Sequence, residues 1–130
     1  MHPPSLSTVH HVALKVRDLK ISEKFYHEVL GLPIIARHSD EKKLPRSVWL
    51  RMGEVILMLE ILSSSKTAPK KTEEGWHLVA LQIEITDREQ WKDYLKEKQI
   101  AVEKESPYTL FFHDPEGNRV ALTHYPEKKA

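Results

Sequence analysis

The chain is organised around residues 11–32, where the hydrophobic period changes from that of a strand to that of a helix. Up to residue 16, apolar residues alternate with other types, which is typical of a half-buried strand: Val12, Leu14, Val16. Farther on, apolar residues recur at helical spacing: Ile21, Phe25, Val29. We expect Asp18 or Ser22 to cap the start of the helix, and Gly31 to end it in a left-handed conformation.

A weaker copy of this pattern begins at residue 79. The run Val79-Ala80-Leu81 matches Val12-Ala13-Leu14, and Asp87 stands in the place of Asp18. Thr86 and Glu89 fit a capping box for a second helix. The apolar side of that helix should consist of Trp91, Tyr94 and Leu95.

Short strands are expected after each helix. In the first half they cover 34–37, 47–52 and 55–62, and in the second half 100–102, 108–112 and 118–124. Residues 63–75 are rich in Ser, Lys, Thr and Pro and predict a linker. The sequence thus predicts an α+β fold in one domain of residues 1–130, built from two βαβββ modules, about 8–62 and 76–125. The two mixed sheets should curve around one cleft.

Composition excludes several classes of partner and chemistry. Lys and Arg number 20 against 19 Asp and Glu, so no single-sign field favours nucleic acid. The chain has no cysteine, which excludes disulfides and thiolate catalysis. The longest apolar run, residues 55–59, is far too short to span a membrane, and no apolar signal region stands at the amino end. We therefore expect a soluble cytoplasmic protein that has neither a nucleic-acid nor a membrane partner.

Strand parity divides the predicted sheets into two faces. One face should pack on the helices, through Val12, Leu14 and Val16 in the first module. The opposite face should line the cleft: His11, Ala13, Lys15, Leu78, Ala80, Gln82.

Two segments resemble a known superfamily. The run His-Val-Ala-Leu-x-Val-x-Asp-Leu from residue 11, with Phe-Tyr-x-x-Val-Leu-Gly-Leu up to residue 32, resembles the opening signature of the vicinal oxygen chelate superfamily. Residues 112–120, Phe-His-Asp-Pro-Glu-Gly-Asn-Arg-Val, resemble its closing signature. Its members include glyoxalase I, extradiol dioxygenases, and fosfomycin- and bleomycin-resistance proteins. The resemblance implies the glyoxalase-like fold, a homodimer, and a divalent metal held in the cleft by the first, fourth, fifth and eighth strands.

The metal positions implied by the resemblance are only partly filled. The first- and fourth-strand positions fall on His11 and Glu60, which fit. The fifth-strand position falls on Leu78, with His77 one residue earlier and on the opposite face unless a bulge shifts the register. The eighth-strand position falls on Ala121, which cannot bind a metal.

Two functional hypotheses follow from these partly filled metal positions. The first is a small-molecule-binding protein of the bleomycin-resistance type with no catalytic metal. The second is a divalent-metal-dependent, glyoxalase-like lyase or isomerase acting on vicinal oxygens, with Glu60 or a metal-bound hydroxide as base. A dioxygenase or thiol transferase is less favoured, because those relatives rely on the fifth- and eighth-strand ligands.

The candidate residues differ between the hypotheses. A metal ion would be held by His11, Glu60 and a re-registered His77, and a catalytic divalent site usually needs about three protein ligands. The residues expected to contact a small-molecule ligand are His11, Lys15, Trp49 and Gln82. The sequence leaves open whether the cofactor is one divalent metal ion or none.

Overall fold

A computed structural model describes residue 4 and residues 9–62 and 78–130 of the chain. The predicted linker and His77 lie outside these residues. The chain divides into two compact units, residues 1–66 and 67–130. Each unit carries one four-stranded mixed sheet, which confirms the predicted α+β architecture of two βαβββ modules.

The first module begins with a strand and a helix, as expected. Its strands are β1 (His11–Val16), β2 (Ile34–Ser39), β3 (Pro45–Met52) and β4 (Val55–Ile61), in the spatial order β1-β4-β3-β2. β1 runs parallel to β4, and the other neighbours are antiparallel. The helix packs on one face, where Leu50, Leu57 and Leu59 are fully buried.

The second module repeats this topology. Its strands are β5 (Val79–Gln82), β6 (Lys104–Glu105), β7 (Thr109–His113) and β8 (Arg119–Thr123), in the order β5-β8-β7-β6. β5 and β8 are parallel. The residues buried on the face toward the helix are Leu110, Phe112, Val120 and Leu122.

The first helix departs from a regular period. The α-helix α1 (Leu19–Glu23) continues as a π-helix, Lys24–Val29, in which the Leu30 amide donates to the Phe25 carbonyl over 3.0 Å. The wider turn changes which side chains face the sheet. The expectation that Ile21 is on the apolar face is wrong, because Ile21 is 52% exposed while Phe25 and Tyr26 are buried.

The ends of this helix agree with the sequence. The Asp18 carboxylate accepts from the Ile21 amide over 3.0 Å, so Asp18 rather than Ser22 is the cap. Gly31 takes φ +78°, the left-handed conformation that glycine adopts without strain.

The start and the end of the second helix differ from expectation. A 3₁₀ turn, Ile85–Asp87, contains Thr86 and leads into α2 (Arg88–Glu97), which has no side-chain cap, so the capping-box prediction is wrong. The helix is followed by Gln99 at φ +62°. The strand predicted at residues 100–102 is also wrong, since β6 begins at Lys104. Among the described residues, no helix is long and apolar enough to cross a membrane.

Candidate functional site

Each sheet turns one face away from its helix, and we call these the open faces. On the first sheet, the strand register places four polar residues in one row across all four strands: Lys15, Glu60, Ser47 and His38. The adjacent row is mostly apolar and consists of Ala13, Met58, Trp49 and Ala36. Strand alternation therefore builds a polar strip beside an apolar strip on the face where the sequence predicted a ligand.

Lys15 and Glu60 form an ion pair in the polar row. The Lys15 Nζ lies 2.9 Å from the Glu60 Oε2, and 30% of the Glu60 side-chain surface remains exposed. Because the strands are parallel and in register at this point, the two side chains leave neighbouring backbones side by side. The carboxylate that the sequence offered as a metal ligand or base is thus already paired with a cation.

His11 lies at the other end of the same two strands. It pairs in register with Ile56, four positions before Glu60 on β4, which is a separation of about 13 Å along the strand. Its Nδ1 lies 3.0 Å from the Nδ1 of His10. Metal–ligand bonds are only about 2.1 Å long, so His11 and Glu60 in these positions do not fit one resident ion.

No other donor set in the described part of the chain replaces them. Among residues 9–62 and 78–130, no group of three His, Cys, Asp or Glu side chains could hold a metal ion. The eighth-strand residue Ala121 is 1% exposed and pairs with Ala80 and Phe111 on its two neighbouring strands. The residues present at these positions therefore surround the expected carboxylate position with apolar groups.

Trp49 stands on the open face of the first sheet, as predicted for a ligand contact. Its ring meets that of His38 edge to face, with centroids 4.8 Å apart. The Trp49 Nε1 and the His38 Nε2 are both buried, and neither has a hydrogen-bond partner among the described residues. His38 was not expected from the sequence, although its register opposite Ser47 places it in the polar row.

The open face of the second sheet carries Gln82, the fourth predicted ligand contact. Gln82 pairs with Thr123, and the Thr123 hydroxyl accepts from that of Thr109 over 2.9 Å. In a separate row, His113 pairs with Arg119, whose guanidinium lies 5.4 Å from the Phe111 ring centre. The row of Gln82 thus provides amide and hydroxyl groups, whereas the row of His113 contains the cationic Arg119.

On the helix side of this sheet, the buried guanidinium of Arg88 links α2 to neighbouring segments, which the sequence did not predict. Arg88, 3% exposed, donates through Nη1 to the His124 Nε2 over 2.8 Å, and through Nη2 to the Glu105 Oε1 (3.1 Å) and the Ser106 carbonyl (2.9 Å). The His124 Nδ1 lies 2.7 Å from the Glu127 carbonyl. A carbonyl can only accept, so His124 carries its proton on Nδ1 and is neutral.

Charge pairing shifts the pKa of two groups. The hydrogen bond from Arg88 lowers the pKa of Glu105, and Lys92, 3.3 Å away, acts in the same direction. In the first module, the two hydrogen bonds from Arg37 to Glu23 raise the pKa of the Arg37 guanidinium. Neither group belongs to an open face, so these shifts describe structural pairs.

A cavity of about 430 Å³ lies at the end of α2, and no residue of the open faces lines it. It is lined by Lys92, Lys96, Gln99, Ile100, Ala101 and Val102. None of the predicted ligand contacts borders it, so it does not mark the predicted site.

The repeated βαβββ modules, each with an open sheet face that carries polar groups, define the glyoxalase-like fold class. The model of the Glyoxalase/Bleomycin resistance protein/Dioxygenase superfamily matches residues 8–122, and the chain belongs to this superfamily. This confirms the resemblance found in residues 11–32 and 112–120.

Known proteins place the chain among diverse relatives. It is 26% identical over 125 residues to the metallothiol transferase FosB of Staphylococcus epidermidis, covering 90% of this chain and 81% of that protein. The structure of a glyoxalase/dioxygenase from Nostoc punctiforme superposes with a TM-score of 0.76 at 25% identity, covering 98% of this chain and 97% of that one. A fosfomycin resistance protein, FosX, from Listeria monocytogenes, in complex with Mn(II) and a dihydroxypropylphosphonic acid, has a TM-score of 0.74 at 17% identity, with 92% and 93% covered. At 17% identity, the similarity to FosX shows a shared fold and nothing more.

Proposed function

We propose that this chain is a small-molecule-binding member of the superfamily that works without a divalent ion at the family's metal positions. The observation that carries this proposal is the 2.9 Å ion pair between Lys15 and Glu60. An ammonium group holds the carboxylate that would otherwise be available to a metal. The buried methyl group of Ala121 supports the same conclusion, because it offers no replacement carboxylate.

The open face of the first sheet indicates the kind of ligand. The apolar row of Met58 and Trp49 offers a flat surface, and the polar row of Lys15 and Glu60 borders it. A ligand with an apolar body and a polar edge would match both rows, since ligand sites combine apolar walls with a few placed polar groups. His11 is a third polar contact in this proposal.

Gln82 is the ligand contact that we propose on the second sheet. Its exposed position beside Thr123 leaves the amide able to donate and accept hydrogen bonds. From the family resemblance we also propose a homodimer, which light scattering on the purified protein would test.

The first experiment is a metal measurement on the purified, untagged protein. Plasma mass spectrometry would give the metal content, and titration with manganese, zinc and nickel would follow. We expect no stoichiometric metal, and no change in metal content between the native chain and Glu60→Ala. The matched control is His10→Ala, which removes the neighbour of His11.

The alternative is a metal-dependent enzyme, and the similarity to a metallothiol transferase favours it. It requires Glu60 to leave Lys15 and to join His11 and His77 around one ion. A stoichiometric metal that is lost in both His11→Ala and Glu60→Ala, but kept in His10→Ala, would overturn the metal-free proposal.

A ligand screen tests the binding surface itself. Trp49 should report a bound ligand through a change in tryptophan fluorescence, because its indole stands on the proposed surface. We expect the change to disappear in Trp49→Phe and to persist in Trp91→Phe, whose indole belongs to α2. A change that survives Trp49→Phe would place the ligand elsewhere.

A further inference from the structure

The segment that follows α2 is apolar but belongs to no strand. Ile100, Ala101 and Val102 have the composition of a strand, yet β6 begins only at Lys104. Ala101 is exposed, and the other two side chains are half-buried. All three line the cavity of about 430 Å³ at the end of α2. Part of this apolar run therefore faces a cavity instead of the core.

The rest of the cavity wall is basic and polar. Lys92 and Lys96 are four residues apart and so lie on one face of α2, and Gln99 follows the end of the helix. None of the six lining residues is acidic. A cavity of this volume is in the range of small-molecule sites, which combine apolar walls with a few polar groups.

The two lysines of the wall differ in their ion pairs. The Lys92 Nζ lies 3.3 Å from the Glu105 Oε1, which also accepts from Arg88, and 3.9 Å from the Glu89 Oε2. Lys96 has no ion-pair partner among residues 9–62 and 78–130. Three cations thus stand against two carboxylates in this group, and the remaining positive charge belongs to Lys96.

The end of α2 leaves room for an anion beside Lys96. Three of the last carbonyls accept from amides that follow them, over 2.9–3.0 Å: Tyr94 from Lys98, Leu95 from Ile100, Lys96 from Gln99. Carbonyls that have a donor repel an anion less than bare ones. Gln99 takes φ +62°, which glycine adopts with less strain. The chain therefore keeps a side-chain amide at the cavity where glycine would end the helix better.

We infer that this cavity binds a small carboxylate that has an apolar chain. The carboxylate accepts hydrogen bonds from the ammonium group of Lys96 and from the side-chain amide of Gln99. The chain packs against the apolar wall, residues 100–102. The inference goes beyond the proposed function, because the open faces are made of strands and none of these residues lies in a strand. It holds whether or not the first sheet binds a ligand or a metal.

The test uses octanoate, with 1-octanol as the probe that keeps the chain and lacks the charge. On the full-length protein, we expect octanoate to shift the amide NMR signals of residues 96–102 in a saturable manner. 1-Octanol should bind about tenfold more weakly, the factor expected for one lost charge-assisted hydrogen bond. Equal affinity for the two probes, or no shift of these signals, would overturn the inference.

Lys96→Met removes the charge and keeps a linear side chain. We expect it to weaken octanoate binding about tenfold and to leave the affinity for 1-octanol unchanged, whereas Lys96→Arg should retain most of the affinity. The matched control is Lys98→Met, because the Lys98 ammonium lies 5.6 Å from the Tyr94 ring centre and Lys98 does not line the cavity. Equal losses in Lys96→Met and Lys98→Met would indicate general charge attraction and overturn the site.

Gln99→Gly separates binding from folding. Because glycine takes a positive φ without strain, the midpoint temperature of unfolding should not fall, while the affinity for octanoate should fall severalfold. An unchanged affinity for octanoate in this variant would overturn the assignment of the amide.

A dilution series of the native protein tests the competing occupant, a second copy of the chain. Without octanoate, the amide signals of residues 96–102 should stay in place as the protein concentration changes. Signals that move with protein concentration, and that octanoate does not shift further, would show that a second copy covers the cavity and would overturn the inference.

Discussion

The two modules bury different kinds of side chain at the same step of the fold. In the first, Leu19 follows the aligned Asp18 and is 7% exposed. In the second, Arg88 follows the aligned Asp87 and is 3% exposed. The residue after the aligned aspartate therefore makes an apolar contact in the first module and directed hydrogen bonds in the second.

This difference determines how the stability of each module should respond to substitutions and to pH. An apolar contact depends on volume, and a smaller side chain leaves a cavity. A buried guanidinium depends on its partners, because each acceptor that loses its donor remains desolvated. The first module should thus be sensitive to side-chain size, and the second to charge and pH.

The largest effect should come from Arg88→Ala. It removes the donor from His124, Glu105 and the Ser106 carbonyl together, and we expect a loss of about 4 kcal/mol in the free energy of unfolding. Urea denaturation followed by circular dichroism would measure it. The control is Lys96→Ala, an exposed position on the same helix.

Arg88→Leu tests the same difference directly, because it places in the second module the residue type that Leu19 has in the first. We expect little recovery, since the His124 Nε2 and the Ser106 carbonyl would still lack a donor. A stability equal to that of the native chain would show that the network contributes nothing beyond volume.

Leu19→Ala should be the next largest effect. Removing a buried leucine side chain costs about 3 kcal/mol through lost burial and the cavity left behind. The matched control is Ile21→Ala on the same helix, which should change stability by less than about 0.5 kcal/mol because Ile21 is exposed. Similar losses in the two variants would contradict the burial of Leu19 and the exposure of Ile21.

Glu105→Gln should reveal the pH dependence of the second module. The pKa of Glu105 is lowered in the folded chain, so its contribution to stability is present above the unfolded value and is lost as the pH falls through the folded pKa. At neutral pH the free energy of unfolding of the variant should be lower by about 1 kcal/mol, because one partly exposed, charge-assisted hydrogen bond is weakened. The difference from the native chain should shrink below about pH 4.

Thermal unfolding at a series of pH values would measure this effect. Glu89→Gln is the control, because its side chain is largely exposed and its contact with Lys92 is 3.9 Å long. A difference between Glu105→Gln and the native chain that stays constant down to acidic pH would contradict the assigned pKa shift.

The smallest effect should belong to the ion pair of the first module. A double-mutant cycle of Lys15→Met and Glu60→Gln should give a coupling of about 0.5 kcal/mol, because the pair is partly exposed, and added salt should reduce it. A coupling as large as the Arg88 effect would mean that the first module also depends on a directed polar contact.

Local chemistry explains which parts of the fold the sequence predicts. The Asp18 cap and the left-handed Gly31 follow from residues that are close in the chain, and the structure contains both. Alternation also correctly assigned Lys15 to the open face, since parity depends only on neighbours in a strand.

The parts that could not be predicted depend on distant residues. Arg88 and His124 are 36 residues apart, and no local pattern connects them. The register of β1 against β4 sets Glu60 beside Lys15 rather than His11, and the sequence carries no local signal for that register. The contact between His113 and Glu103 likewise joins two different segments, so alternation within one strand does not predict it.

The π-helical turn also records a difference in length between the two halves. Gly31 ends the first helix 13 residues after Asp18, whereas Gln99, also at positive φ, follows Asp87 by 12. Lys24–Val29 absorbs this one extra residue. An alignment of the two halves therefore needs a one-residue gap in this segment. Deleting one residue from that segment should give a regular α-helix with its terminating glycine still in place.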